Sequence, residues 1–197
     1  MSNVVFDEVR HAYEVDGQEL PSVTQLVAVL GDDGDIDEDI MERAADRGTT
    51  CHAIIAMALQ GEDYSGEYPA MYQPWVDSIE AFLHDHNIVP LMIETPLGNT
   101  TLGYAGTPDL VCEYDGELAL LDYKCVSQVN KTKVKAQLNA YDQLLAYEGV
   151  QIETRYAVQF TKEGYRVYPV AFGMEEFDAC MAINDLKKKK HPRGKIA

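Results

Sequence analysis

The chain has 197 residues, 46% of them hydrophobic, and a formal net charge of −17, enough for one domain with a buried core. No apolar run is long enough to span a bilayer, and Met1-Ser2-Asn3 is not followed by the basic and apolar segments of a secretory signal, so a soluble, cytoplasmic protein is expected. The four cysteines, Cys51, Cys112, Cys125 and Cys180, show no Cys-x-x-Cys spacing, which argues against a zinc ribbon or an iron–sulfur cluster and for reduced thiols.

In chain order, residues His11 to Leu20 predict a hairpin around Asp16-Gly17, a type I′ turn signal. Pro21-Ser22 opens a helix with Ser22 as N-cap and Val23, Leu26, Val27 and Leu30 as its apolar stripe. The acidic stretch Asp32 to Asp39 reads as a solvated loop, and a long helix then runs from about Asp39 to Gln60, ended by Gly61. A further helix is expected over Met71 to His86, then a strand over Leu91 to Leu97 and a loop through Gly103 and Gly106. A hairpin follows from about Asp109 to Cys125, turning at Asp115-Gly116. After it come a helix over Lys133 to Tyr147, a hairpin of 155–160 with 165–171, and a last helix over Met174 to about Lys189. Four lysines, Lys187 to Lys190, sit at its C-terminal end, where the helix dipole favours them.

The charge is unevenly placed. Residues 1–100 hold 20 acids and 3 basic residues, whereas 101–197 hold 13 of each. Because screening limits the reach of distant charge to about 8–10 Å, a basic patch in the second half can still attract phosphate.

The Asp115-Gly116 turn fixes a register in which Tyr114 faces Glu117, and the same register sets Asp109 opposite Asp122. Facing carboxylates are about 4.5–5.5 Å apart at Cβ and destabilise a sheet unless a positive charge relieves them; a hard divalent cation does so naturally. Lys124 lies two residues beyond Asp122, on the same strand face. Asp122 follows the apolar run Leu118 to Leu121, so it ends a buried strand, where an unpartnered carboxylate is costly. Two acids and an amine on one sheet face suit metal-assisted hydrolysis. In the next helix Gln137 and Tyr141, four apart, share a face from which they can steer Lys124 or hold a phosphate oxygen. By position alone His52 reads as a hydrogen-bonded core residue, with Gly48 one turn earlier leaving room for a close approach, and Glu94 is similarly ambiguous. Cys51, Cys112 and Cys125 flank these elements, either as packing or as an oxidation-sensitive rim.

Gly-Thr-Pro-Asp (106–109), Asp-Tyr-Lys (122–124) and Gln-Leu-Asn-Ala-Tyr (137–141), preceded by Arg47-Gly48-Thr49-Thr50-Cys51-His52, together resemble the PD-(D/E)XK nuclease superfamily, in particular its RecB-like and phage-type exonuclease branch. The resemblance spans about residues 40 to 160 and lacks the cluster cysteines and helicase portion of some relatives. It implies an α/β (α+β) restriction-endonuclease-like core of helix, three strands, helix and strand, with a mixed central sheet flanked by helices. The expected organisation is a single domain over 1–197, with the core at about 39–171, an N-terminal hairpin and helix at 10–31 and a C-terminal helix at 174–190. The resemblance further implies that Asp109, Asp122, the Tyr123 backbone carbonyl and His52 hold Mg2+ or Mn2+, the imidazole favouring manganese. Lys124 would serve the attacking water and the transition state, Gln137 and Tyr141 would support it, and Glu94 is an additional candidate. No iron–sulfur cluster is implied.

The activity so implied is a metal-dependent deoxyribonuclease, an exonuclease of phage-type recombination, replication or repair. DNA would be contacted by Lys131, Lys133 and Lys135, a recombination or replication protein is a candidate partner, and an oligomer is compatible with the sequence. Two other classes compete. One is a catalytically silent protein of the same fold whose acidic half binds a basic partner or imitates DNA. The other is a hydrolase of small phosphorylated molecules, for which the chain lacks a glycine-rich phosphate loop.

Overall fold

A computed structural model of the chain describes residues 3–7, 9, 10, 12–31 and 38–190, with side chains for all of these but 38–40 and 190. His11 and residues 32–37 of the expected acidic loop lie outside the described residues, while Glu38 and Asp39 belong to a helix.

Two hairpin turns set the frame. Asp16-Gly17 and Asp115-Gly116 both have positive φ at each central residue (50° and 82°; 50° and 95°), the backbone that matches strand twist. The first joins β2 (Ala12–Val15) to β3 (Gln18–Leu20); β1 (Val4–Asp7), absent from the sequence expectation, pairs antiparallel with β2. Helix α1 (Val23–Val27) starts in a capping box between Ser22 and Gln25, and α2 (Glu38–Gln60) and α3 (Gln73–Asp85) follow.

The central sheet has five strands in the order β10-β9-β8-β7-β4. Strand β4 (Ile88–Ile93) runs antiparallel to β7 (Leu110–Tyr114), and β7 antiparallel to β8 (Glu117–Lys124). Helix α4 (Lys131–Tyr147), N-capped by Asn130, then crosses over so that β9 (Thr154–Thr161) lies parallel to β8, and β10 (Gly164–Pro169) closes the sheet antiparallel to β9. Helix, three-strand meander, crossover helix and parallel strand make the restriction-endonuclease-like core, a mixed sheet with helices on both faces. Helix α5 (Glu175–Lys190) packs against α4 and α1.

The expected strand over 91–97 is two elements. Strand β4 begins at Ile88 and ends at Ile93, where Glu94 takes φ 42°. Pro96, which lacks an amide hydrogen, follows. Beyond it β5 (Leu97–Asn99) pairs with β6 (Tyr104–Gly106), where a loop is expected from sequence.

Period-2 alternation along β8 sorts the two cores. Leu120 faces α4 with Val111, Val134, Leu138 and Tyr141, whereas Ala119, Leu121 and Tyr123 pack with Ile54, Ile55, Val76, Ile79 and Phe82 of α2 and α3. Asp122 and Lys124 therefore fall on the α4 face, at the end of a strand buried on both sides.

Candidate active site

The β7–β8 ladder pairs Leu110 with Leu121 and Tyr114 with Glu117. The same register, one step on, brings Asp109 beside Asp122. Asp109 turns one carboxylate oxygen, Oδ2, back to accept the Tyr123 amide at 2.6 Å. Asp122 is 1% exposed. Lys124 Nζ donates to its Oδ1 at 2.8 Å; Oδ2, although 2.6 Å from the same nitrogen, accepts no hydrogen bond among the described residues. Burial raises the Asp122 carboxyl to about 6, opposed by Lys124 and reinforced by Asp109. Lys124 is half-buried, and the partial loss of water disfavours its charge, yet Asp122 and Asp109 raise its pKa overall and keep it an ammonium.

From Lys124 a polar chain runs into α4. Gln137 Oε1 accepts from Nζ at 3.4 Å, Gln137 Nε2 donates to the Tyr141 hydroxyl at 3.4 Å, and Tyr141 lines a cleft with Thr24 of α1. Tyr141 comes so close to Gly106 that a Cβ there would lie 2.7 Å from its Cε1 and 3.3 Å from Val23 Cγ2. The glycine of the Gly-Thr-Pro-Asp step is thus the space into which Tyr141 fits.

From the opposite face α2 contributes His52. Its Nε2 lies 3.2 Å from the Tyr123 carbonyl oxygen, and its Nδ1 is 3.7 Å from both Glu94 Oε1 and Asp109 Oδ1. Desolvation lowers the His52 pKa, but the charge of Asp109 and the nearby Glu94 carboxylate overcome it and raise it to about 9. Glu94 reaches this position because its left-handed backbone, uncommon for a residue with a side chain, is tied by its amide to the Asp109 carbonyl at 3.0 Å. Among the described residues no other segment comes within 4 Å of the Cβ position of Gly48, so no second backbone packs there and the space beside it is open.

The residues brought together are His52, Glu94, Asp109, Asp122, the Tyr123 carbonyl, Lys124, Gln137 and Tyr141. Lys131, Lys133 and Lys135 are not among them. Lys135 is drawn to Glu176 at 2.8 Å and Glu175 at 3.8 Å on α5, and Lys131 lies over the Tyr168 ring. The four thiols are buried and free. Beside the site opens a cleft of ≈ 550 Å³ lined by Phe6, Tyr13, Thr24, Glu94, Thr107 and Asp109 among others. Tyr13 is fixed there by a 2.8 Å hydrogen bond between its hydroxyl and that of Thr107, so the N-terminal hairpin forms a wall of the cleft. Phe6, Tyr13 and Thr24 carry no sequence signal for this role, because their contacts are made across tens of residues.

Two carboxylates, a carbonyl and an imidazole freed of its proton suit a hard or borderline divalent ion; the buried Oδ2 of Asp122 accepts no hydrogen bond among the described residues and faces the Lys124 ammonium, which such an ion would displace from it. Among the described residues no three His, Cys, Asp or Glu side chains form a ready ligand set; Asp109 is turned to the Tyr123 amide and Asp122 to Lys124.

No protein-family model matches this sequence, and no curated protein matches it at a significant level. Among solved structures, an alkaline exonuclease (LHK-Exo) from Laribacter hongkongensis aligns at 16% identity over 86% of this chain and 92% of that one, with a TM-score of 0.38. LHK-Exo in complex with dAMP aligns at 12% identity over 87% and 92%, with a TM-score of 0.39. The protein SSO0001 aligns at 15% identity and a TM-score of 0.35 over 60% of this chain, which spans 57% of that structure's length.

No helix among the described residues is long and apolar enough to cross a membrane.

Proposed function

We propose that this protein is a divalent-metal-dependent deoxyribonuclease that hydrolyses phosphodiester bonds as an exonuclease, in phage-type recombination, replication or repair. The observation that carries this reading is the approach of Asp109, just ahead of β7, to the buried Asp122 of β8, with the half-buried Lys124 bonded to the second acid. Asp109, Asp122, the Tyr123 carbonyl and His52 would hold magnesium or manganese, with Glu94 beside them. When bound, the ion polarises the phosphodiester and lowers the pKa of water.

The chain's own groups do the rest. Lys124, an ammonium aimed into the site, orients the water and offsets charge building on the pentacoordinate phosphorus as the water oxygen bonds to phosphorus and the ester P–O bond breaks; the water gives up a proton to solvent and the leaving ester oxygen takes one from it. Gln137 accepts from Lys124 and fixes its direction, and Tyr141 holds Gln137 in turn. Lys131 and Lys133, at the start of α4, would meet the DNA backbone, and Lys135 would join them only by leaving Glu176.

The test is degradation of end-labelled linear DNA beside a closed circle, with magnesium, manganese or chelator, for wild type and Asp122→Ala. Metal-dependent loss of the linear DNA alone, abolished in the variant, is the expected result. Cutting of the circle would make the protein an endonuclease, and inactivity on both DNAs with both metals would favour a silent interaction protein of this fold.

A further inference from the structure

Acids are plentiful in this chain, and Arg10, Lys124, Lys135 and Arg155 each have one as a partner. Arg47 of α2 and Lys162, in the β9–β10 turn, have no ion-pair partner among the described residues. Both instead lie over the indole of Trp75, each 5.0 Å from the ring centroid. Arg47 also donates from Nε and one Nη to the Cys125 carbonyl, at 3.2 and 3.0 Å, and makes no other hydrogen bond among the described residues. These three residues line a groove of ≈ 430 Å³ together with Ser127, Thr161 and Glu163. Since Cys125 follows Lys124 directly, the groove begins one residue from the candidate site.

Holding two cations on one ring, with a single acid in the groove, is unfavourable unless an anion comes to them. A guanidinium fork and an ammonium suit phosphate, and a basic groove with an aromatic platform is how proteins hold single-stranded nucleic acid irrespective of sequence. We infer that the Arg47–Trp75–Lys162 groove is a backbone-phosphate subsite for a single DNA strand lying across the active site. The inference rests on the nuclease reading and adds the path of the strand, which leaves the scissile position past Cys125 and between α2 and the β9–β10 turn.

Trp75 is the chain's one tryptophan, so its emission reports on this groove. A short oligothymidylate would be titrated with calcium in place of magnesium, reading Trp75 emission and the anisotropy of a labelled copy over a salt series, for wild type and Lys162→Ala. Cleavage of linear DNA with magnesium would be run alongside. The oligonucleotide is expected to change the emission saturably. Lys162→Ala is expected to bind it roughly 3- to 10-fold more weakly and to flatten the slope of log K against log salt by about 0.7, the loss of one phosphate contact on a single strand. Equal affinity and slope in both proteins would overturn the subsite while the nuclease reading stands on the cleavage assay. Binding seen by anisotropy with no change in Trp75 emission would overturn it too, placing the strand elsewhere. Neither binding nor cleavage by wild type would remove the nuclease reading and this subsite with it.

Discussion

Lys124 is the residue on which the site turns, since it touches Asp122 on its own strand and Gln137 across the sheet face. Lys124→Met keeps the stem and removes the charge, and is expected to lower the rate of linear-DNA degradation by about 10²- to 10³-fold, the usual cost of one charge-stabilising donor. Far-UV circular dichroism should be unchanged. Gly106→Ala tests a neighbour that makes no chemical contact: its Cβ would overlap Tyr141 and crowd Val23. A cost of about 1–3 kcal/mol is expected for such overpacking, read as a lowered melting temperature together with reduced activity, as Tyr141 is pushed from Gln137. The register that carries Asp109 towards Asp122 was legible in the sequence because the Asp-Gly turn pairs Tyr114 with Glu117, and counting back from it reaches Leu110 opposite Leu121, one step short of both acids. The place of Glu94 was not, because it depends on a left-handed backbone at the end of β4 that no local pattern announces.

At the scale of elements, α4 is held to the sheet by more than its apolar stripe. Asp142 and Arg155, with side chains 9% and 11% exposed, form an ion pair between α4 and β9 through two N–H donors to one carboxylate oxygen. Asn139, fully buried, donates to the Lys135 and Ala171 carbonyls and accepts from the Gly173 amide. Asp142→Ala would leave a buried guanidinium uncompensated. A loss of about 3–5 kcal/mol is expected, measured by urea denaturation, and a Asp142→Ala/Arg155→Met double variant should recover much of it. These polar ties were invisible in sequence, where α4 shows only its helical periodicity and the Gln-x-x-x-Tyr spacing. The split of the expected 91–97 strand has a similar origin, since β5 pairs with β6 and not with the central sheet.

For the whole molecule, the uneven charge governs how a polyanion is met. The first hundred residues carry the entire net charge, yet Arg47 from that acidic half meets Lys162 from the second half in one groove, and Lys131 and Arg166 line another. Binding of DNA is therefore expected to remain measurable at low salt despite the net charge of −17, and to fall linearly on a log–log salt plot. Gel-shift titrations over a salt series check this. A salt-independent affinity would mean that few phosphates are neutralised.

The parallel pairing of β8 with β9 has a consequence for how the chain is made. Every candidate site side chain has left the ribosome by Tyr141, but the strand that covers the outer edge of β8 is complete only at Thr161. At about 5–20 residues per second, β8 waits about 2–7 s after Lys124 with an apolar, unpaired edge, the kind of template on which neighbouring chains aggregate. A fragment ending at Val150 would freeze that stage. It is expected to elute as large aggregates in size-exclusion chromatography and to degrade no DNA, although it contains every acid and the lysine of the site. Production of the intact protein should improve with slower growth or added chaperone for the same reason.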